Sequence, residues 1–252
     1  QIAALCKKHK LLLIEDCAHG FGGSYAGRKL GTLGDAAFFS FGRDKVISGI
    51  WGGAIATRDE SVIEKIRKEA SNLPIRSFSW IALQLMYAPL TALIIATYGF
   101  FGMGKFLHLV LRKIGVLSSV LTAEEKAGAI PARFYRGIAP PLACIISAQL
   151  DRLDAFIAHR RLIAQHYAKS FHMPYVNEHT YLRFTMMSVF ATELRKSGAR
   201  KNIFLGDWYD AVVAPDTVDK QKTGYSAGSC PRAEQAAEHA LNLPTHPRMT
   251  LE

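Results

Sequence analysis

The chain has 252 residues, a formal net charge of +10, and is 49% apolar and 21% charged. This balance excludes a disordered, collagen-like or disulfide-scaffold protein and leaves enough chain for one large core or two small ones. The excess of Lys and Arg favours an anionic partner (nucleic acid, a membrane surface or a phosphorylated small molecule) without choosing among them. Cys6, Cys17, Cys144 and Cys230 form no CxxC pair, as suits free thiols in a reducing compartment. Gln1 opens the chain with no secretory pattern behind it, and the missing Met leads us to expect an N-terminal portion outside the sequence.

In chain order, Ile2, Leu5, Cys6 and His9 share a helical face, and Leu11–Ile14 reads as a fully buried strand ending at Glu15-Asp16. Ser24–Leu30 reads as a hairpin turning at Ala26-Gly27, and Ala36–Phe39 and Ala54–Thr57 as two more short buried strands. Glu60–Ala70 has the charge pattern of an exposed helix, Glu64 standing four before Lys68. From Ser77 to Gly104, about 28 positions, there is no charged residue, more than the ~20 that span a bilayer. Pro89, Gly99, Gly102 and Gly104 interrupt this stretch, while Arg76, Lys105, Arg112 and Lys113 flank it. Three readings stay open: a buried helical hairpin or dimer-interface insert, a re-entrant or interfacial membrane anchor, and a spanning helix.

Beyond Pro131, Leu142, Ile145, Ile146, Leu150, Leu153 and Ile157 keep a helical repeat toward Tyr167, predicting one long helix opened by Pro140-Pro141. Tyr181–Met186 suggests a strand, Phe190–Lys196 a helix closed by Gly198, and Pro231 a helix start with Glu234 behind it. The clusters Lys7-Lys8-His9-Lys10 and His159-Arg160-Arg161 read as solvated helix faces. They lack the aromatic interleaving of a nucleic-acid binder, so no nucleic-acid partner is expected. No His/Cys/Asp/Glu spacing suits a metal, and none is assigned.

The informative stretch runs from Ile14 to Gly53. Asp16 and His19 follow one strand, Ser40 ends another, Lys45 comes five residues later, and Gly49–Gly53 forms a glycine-rich turn. Taken singly, Asp16 is a strand-end cap, Ser40 a polar strand end and Lys45 a solvated lysine. Together they are the group set that pyridoxal 5'-phosphate requires: an amine for its aldehyde, a carboxylate for its ring nitrogen and a hydroxyl for its phosphate.

These residues also carry a resemblance. Ile14-Glu15-Asp16-Cys17-Ala18-His19, then Tyr25-Ala26-Gly27 through Gly31-Thr32-Leu33-Gly34-Asp35, Ser40-Phe41-Gly42-Arg43-Asp44-Lys45 and Gly52-Gly53 resemble the DegT/DnrJ/StrS family of sugar aminotransferases. Tyr135-Arg136, Gln149–Leu153, Cys230–Glu234 and Leu243–Pro247 extend the likeness, which covers Gln1 to about Ala70 and Pro131 to Glu252. It implies an α/β chain: the C-terminal part of a type I pyridoxal-phosphate transferase large domain, a smaller α+β C-terminal domain and a hydrophobic helical insert. Residues 1–71 are then the partial large domain, 72–130 the hydrophobic helical insert, and 131–252 the long helix and small domain.

By the same resemblance Lys45 is the catalytic, Schiff-base lysine, Asp16 pairs with the pyridine nitrogen, His19 lies near the phenolic oxygen and Ser40 binds the phosphate. The substrates implied are a nucleotide-linked deoxysugar and an amino-acid donor, usually glutamate, handled by a cytoplasmic homodimer. The rival reading is a non-catalytic or regulatory member that docks on a membrane through residues 77–104. Phe134 stands where many members have an Asn thought to reach the partner subunit's phosphate, and Trp51 where the glycine turn often has a Glu. Roughly 150 family residues are expected before the equivalent of Gln1, including a phosphate loop and the aromatic stacked on the cofactor. His246 reads as a turn residue or a substrate contact.

Overall fold

A computed structural model describes residues 1–117, 123–131, 134–214 and 216–251. In chain order the elements begin with α1 (Ile2–Lys8), β1 (Ile14–Asp16), β2 (Ser24–Tyr25), β3 (Arg28–Lys29), β4 (Ala36–Ser40), β5 (Gly53–Thr57) and α2 (Glu60–Asn72). Then come α3 (Phe78–Leu85), α4 (Tyr87–Ala96), α5 (Met103–Lys113), α6 (Ala123–Lys126), α7 (Pro140–Leu150) and α8 (Leu153–Ser170). The described chain ends with β6 (Phe184–Met187), α9 (Ala191–Arg200), α10 (Pro231–His239) and β7 (Ala240–Leu243). Two compact units result: one from the described parts of 1–19, 31–122 and 132–152, the other from those of 20–30, 123–131 and 153–252.

The first unit is built on a sheet of order β1-β4-β5, with β1 parallel and β5 antiparallel to β4. Asp16 lies opposite Phe38, which brings the carboxyl ends of β1 and β4 to one edge. The first strand is shorter and more open than its apolar run suggests: Leu12 is 84% and Ile14 63% exposed. A strand of this type needs cover on both faces, and three strands with the helices of this unit do not supply it. Glu15 points back under the sheet edge, where its carboxylate accepts the N–H groups of Gly31, Leu33 and Gly34 at 3.0, 2.6 and 2.8 Å. A side chain on Gly34 would lie 2.5 Å from the Leu13 carbonyl oxygen, so this approach requires glycine.

Helix α2 starts where expected, because the Asp59 carboxylate accepts the Ser61 and Val62 N–H groups, and it runs on to Asn72. The apolar stretch folds as α3, α4 and α5. The chain restarts at Tyr87, which puts Pro89 in the first turn of α4, where a missing N–H costs nothing. Helix α5 returns against α4 so closely that a side chain on Gly104 would meet the Ile94 carbonyl oxygen. The Gly137 N–H donates to the Pro74 carbonyl at 3.3 Å, tying the two ends of this excursion together. The long helix expected after Pro140 is two helices, interrupted at Asp151-Arg152, a turn that apolar periodicity alone does not reveal.

In the second unit β2 and β3 form the expected hairpin, with Ala26 and Gly27 at φ 49° and 74°. The Glu178 carboxylate accepts both turn N–H groups, at 3.1 and 2.7 Å. Strands β6 and β7 pair antiparallel over a core of Ala164, Ala168, Tyr181, Phe184 and Leu243. Helix α9 runs past Gly198, the residue expected to close it, and ends at Arg200. The expectation of a solvated face at His159-Arg160-Arg161 fails at its centre. Arg160 is 6% exposed, and its Nη1 donates to the Leu182 carbonyl and the Thr245 hydroxyl, both at 3.1 Å. Burial, with Arg183 nearby, pushes this guanidinium down to about 10.

Two outcomes follow. Glu15→Gln exchanges an acceptor-only group for one that also carries donors, and is expected to lower stability by about 2 kcal/mol, measured by urea denaturation. The His179 Nδ1 accepts the Tyr181 N–H at 3.0 Å, and burial and then Arg161 hold its imidazole below the 6.5 of a free histidine. The unfolded chain therefore takes up this proton first, so stability present above pH 6.5 is lost as pH falls below it. His179→Asn keeps an acceptor without the titration, and its melting temperature is expected to depend less on pH across that window.

Candidate active site

The turn after β4 is fixed from several directions. Phe41 N–H donates to the Gly52 carbonyl and Gly49 N–H to the Phe41 carbonyl, each at 2.9 Å, closing the loop on itself. From α7 the Gln149 side chain accepts the Ser48 N–H at 3.0 Å and donates to the Ser48 carbonyl at 2.7 Å. Val46 and Ile47 are 5% and 1% exposed, anchoring the segment directly after Lys45. A side chain on Gly49 would lie 2.5 Å from Ile146, so glycine is required for α7 to pack here.

Held in this way, Lys45 keeps a side-chain exposure of 14%, unlike the solvated lysine it resembles when read alone. Its Nζ lies 2.6 Å from the Nε2 of His19 and 3.7 Å from the Asp44 carboxylate. Ser40 ends β4, and its hydroxyl accepts the Gly42 N–H at 3.4 Å. A side chain on Gly42 would stand 3.4 Å from Asp44 Oδ1, 3.6 Å from the Ser40 hydroxyl and 3.9 Å from Lys45 Cγ. The bare backbone of Gly42 thus leaves space where these three side chains converge. Asp16 reaches the same sheet edge one strand away, where its carboxylate accepts the Ala18 N–H at 2.9 Å rather than bonding Lys45. Between them, Cys17 is 2% exposed, and its thiol is pushed up by burial and then by the Glu15 and Asp16 charges, which makes it a packing residue. No group of three or more metal-ligating side chains occurs among the described residues.

Sequence reasoning missed a second layer behind this turn. Gln84, from the apolar helix α3, is 2% exposed, and its carbonyl oxygen accepts from Arg43 Nη2 and Trp51 Nε1, both at 3.0 Å. The Arg43 guanidinium also lies 4.1 Å from the Tyr87 ring centroid. Burial pushes it below the usual arginine range, with Tyr87 pulling the other way. The signal in the sequence was an amide alone among apolar residues, three positions before a tyrosine. Gln84→Leu removes the acceptor shared by Arg43 and Trp51. It is expected to cost about 2 kcal/mol in thermal unfolding and to shift Trp51 fluorescence.

An amine, an imidazole, a hydroxyl and a carboxylate thus gather at and just beyond the carboxyl ends of adjacent strands of an α/β frame, the usual place for a site in such a sheet. The chain belongs to the DegT/DnrJ/EryC1/StrS aminotransferase family, which it matches over residues 1–78 and 138–252. It is 44% identical over 66 residues to GDP-perosamine synthase of Caulobacter vibrioides, covering 26% of this chain and 18% of that protein. It superposes on the aminotransferase TlmJ of Streptoalloteichus hindustanus with a TM-score of 0.64 and 24% identity, covering 99% of this chain and 57% of that one. Putative sugar aminotransferase Spr1654 from Streptococcus pneumoniae gives a TM-score of 0.63 at 16% identity in its PLP form and 0.64 at 17% in its PMP form, covering 96% of this chain and 54% of that chain in each case. The chain therefore spans between about a fifth and three fifths of the proteins it matches. Aminotransferases of this family use pyridoxal phosphate.

Proposed function

We propose that this chain supplies the lysine end of a sugar aminotransferase site, with Lys45 as the catalytic amine and Asp16, His19 and Ser40 binding pyridoxal phosphate beside it. The observation that carries the reading is the shielded contact of Lys45 Nζ with His19 Nε2 at 2.6 Å. The chemistry of the donor set, an amine, a hydroxyl, an imidazole and a carboxylate, suits the group's aldehyde, phosphate and ring. When bound, pyridoxal phosphate supplies an aldehyde that accepts the amino group and a ring that draws electrons from the substrate carbon.

The chain's own residues do the rest. Lys45 takes and returns a proton at Nζ, and His19 Nε2 provides the neighbouring site that steadies either protonation state of the amine. The Asp44 carboxylate, 3.7 Å from the same nitrogen, is the acidic side chain beside it. The Ser40 hydroxyl offers a hydrogen bond to a phosphate oxygen at a turn whose geometry is already set. Asp16 offers a negative charge to a protonated ring nitrogen at the adjoining strand end. The names of the relatives support a keto group on a nucleotide-linked deoxysugar as acceptor, and the resemblance supports glutamate as donor, a homodimer and a cytoplasmic site of action.

Lys45→Ala in the full-length protein tests this reading. The expected result is loss of the visible absorbance of protein-bound cofactor and a fall in amino transfer of about 10²–10⁴-fold. A variant that keeps both overturns the assignment of Lys45.

A further inference from the structure

Apart from Phe78, helices α3 to α5 lie outside the residues that match the family, which leave off at 78 and resume at 138. Their apolar surface is not used up by folding. Phe78–Ala96 is long and apolar enough to cross a membrane, yet only 11% of that stretch is buried, whereas a core helix of this composition is mostly covered. The turn into α5 carries Phe100 and Phe101, 60% and 94% exposed, with Met103 and Phe106 beside them at 50% and 69%. Because the contact at Gly104 seats α5 on α4, this tip is a packed hairpin end and not a loose loop.

Charge tells which surface this tip suits. No Asp or Glu occurs between Glu69 and Glu124, while Arg76, Lys105, Arg112 and Lys113 do. On α5, Met103, Phe106, Leu109 and Val110 make one exposed apolar face, and Lys105, His108 and Arg112 an exposed basic strip next to it. An apolar wedge edged by cations and free of acids complements a layer of anionic headgroups over hydrocarbon. A second copy of the chain fits less well, since a two-fold contact through this face brings like charges together. The family model leaves residues 79–137 unmatched, so its own segments give no reason to expect a partner for this face.

We infer that the hairpin α4–α5 docks the protein on an anionic phospholipid surface, inserting Phe100, Phe101, Met103 and Phe106 and setting Lys105, Arg112 and Lys113 against the headgroups. This holds whether or not Lys45 acts as proposed above.

Flotation of the full-length protein with vesicles of phosphatidylglycerol and phosphatidylcholine, against vesicles of phosphatidylcholine alone, tests it. Salt-sensitive flotation with the anionic vesicles is expected, and Lys45→Ala leaves it unchanged. Replacing Lys105, Arg112 and Lys113 together by Gln is expected to weaken binding on the order of 100-fold, at about a factor of five for each cation. Phe100→Asp with Phe101→Asp is expected to abolish it with unchanged circular dichroism, since both side chains are already in solvent. Absence of flotation by the wild type, or flotation indifferent to both sets of substitutions, overturns the inference. So does an oligomer that the Phe100/Phe101 substitutions dissociate without any vesicle binding, which assigns the face to a second copy.

Discussion

A lysine amine stays out of water only if the backbone that bears it cannot relax, because its four-carbon stem otherwise carries the charge to solvent. In this chain the constraint is the closed turn from Phe41 to Gly53. Two backbone hydrogen bonds shut it, the Gln149 amide grips Ser48 from both sides, and Ile47 is packed beneath it. The position of Lys45 against His19 follows from that closure. The sheet contributes the direction: β1 and β4 run parallel, so Asp16 and Ser40 arrive at the same edge as the turn.

The same turn also reaches outward. Arg43 and Trp51 bracket Lys45 in sequence and share one acceptor, the Gln84 carbonyl oxygen of α3. A buried amide in an apolar helix is costly unless both its partners are in place, so the contact fixes the helix relative to the turn as much as the reverse. The apolar helices are therefore joined to the lysine-bearing loop by polar bonds in addition to packing. Disturbance of α3 is transmitted to the loop through a pair of hydrogen bonds whose loss leaves buried donors behind.

Much of this was legible in the residues themselves. Turn chemistry located the hairpin at Ala26-Gly27 and short apolar runs located β4 and β5, because positive φ at a two-residue turn and apolar runs are local properties. Spacing brought Asp16, His19, Ser40 and Lys45 into one group, and the resemblance assigned their roles. What escaped was set by distant partners. Arg160 looks like any arginine on a polar helix face until Leu182 and Thr245 close over it. Glu15 looks like a strand-end acid until the backbone of Gly31 to Gly34 curls round it. The exposure of Leu12 and Ile14 was equally invisible, since an apolar run does not say which neighbours are there to cover it.

The bond between Gly137 and Pro74 bears on how much chain the fold tolerates between them. Where the chain departs from the family pattern and where it rejoins, the two strands of backbone already touch, and extra length between touching points adds little to the entropy of closing them. The length of chain between these two points can therefore vary at small entropic cost without any change in the sheet.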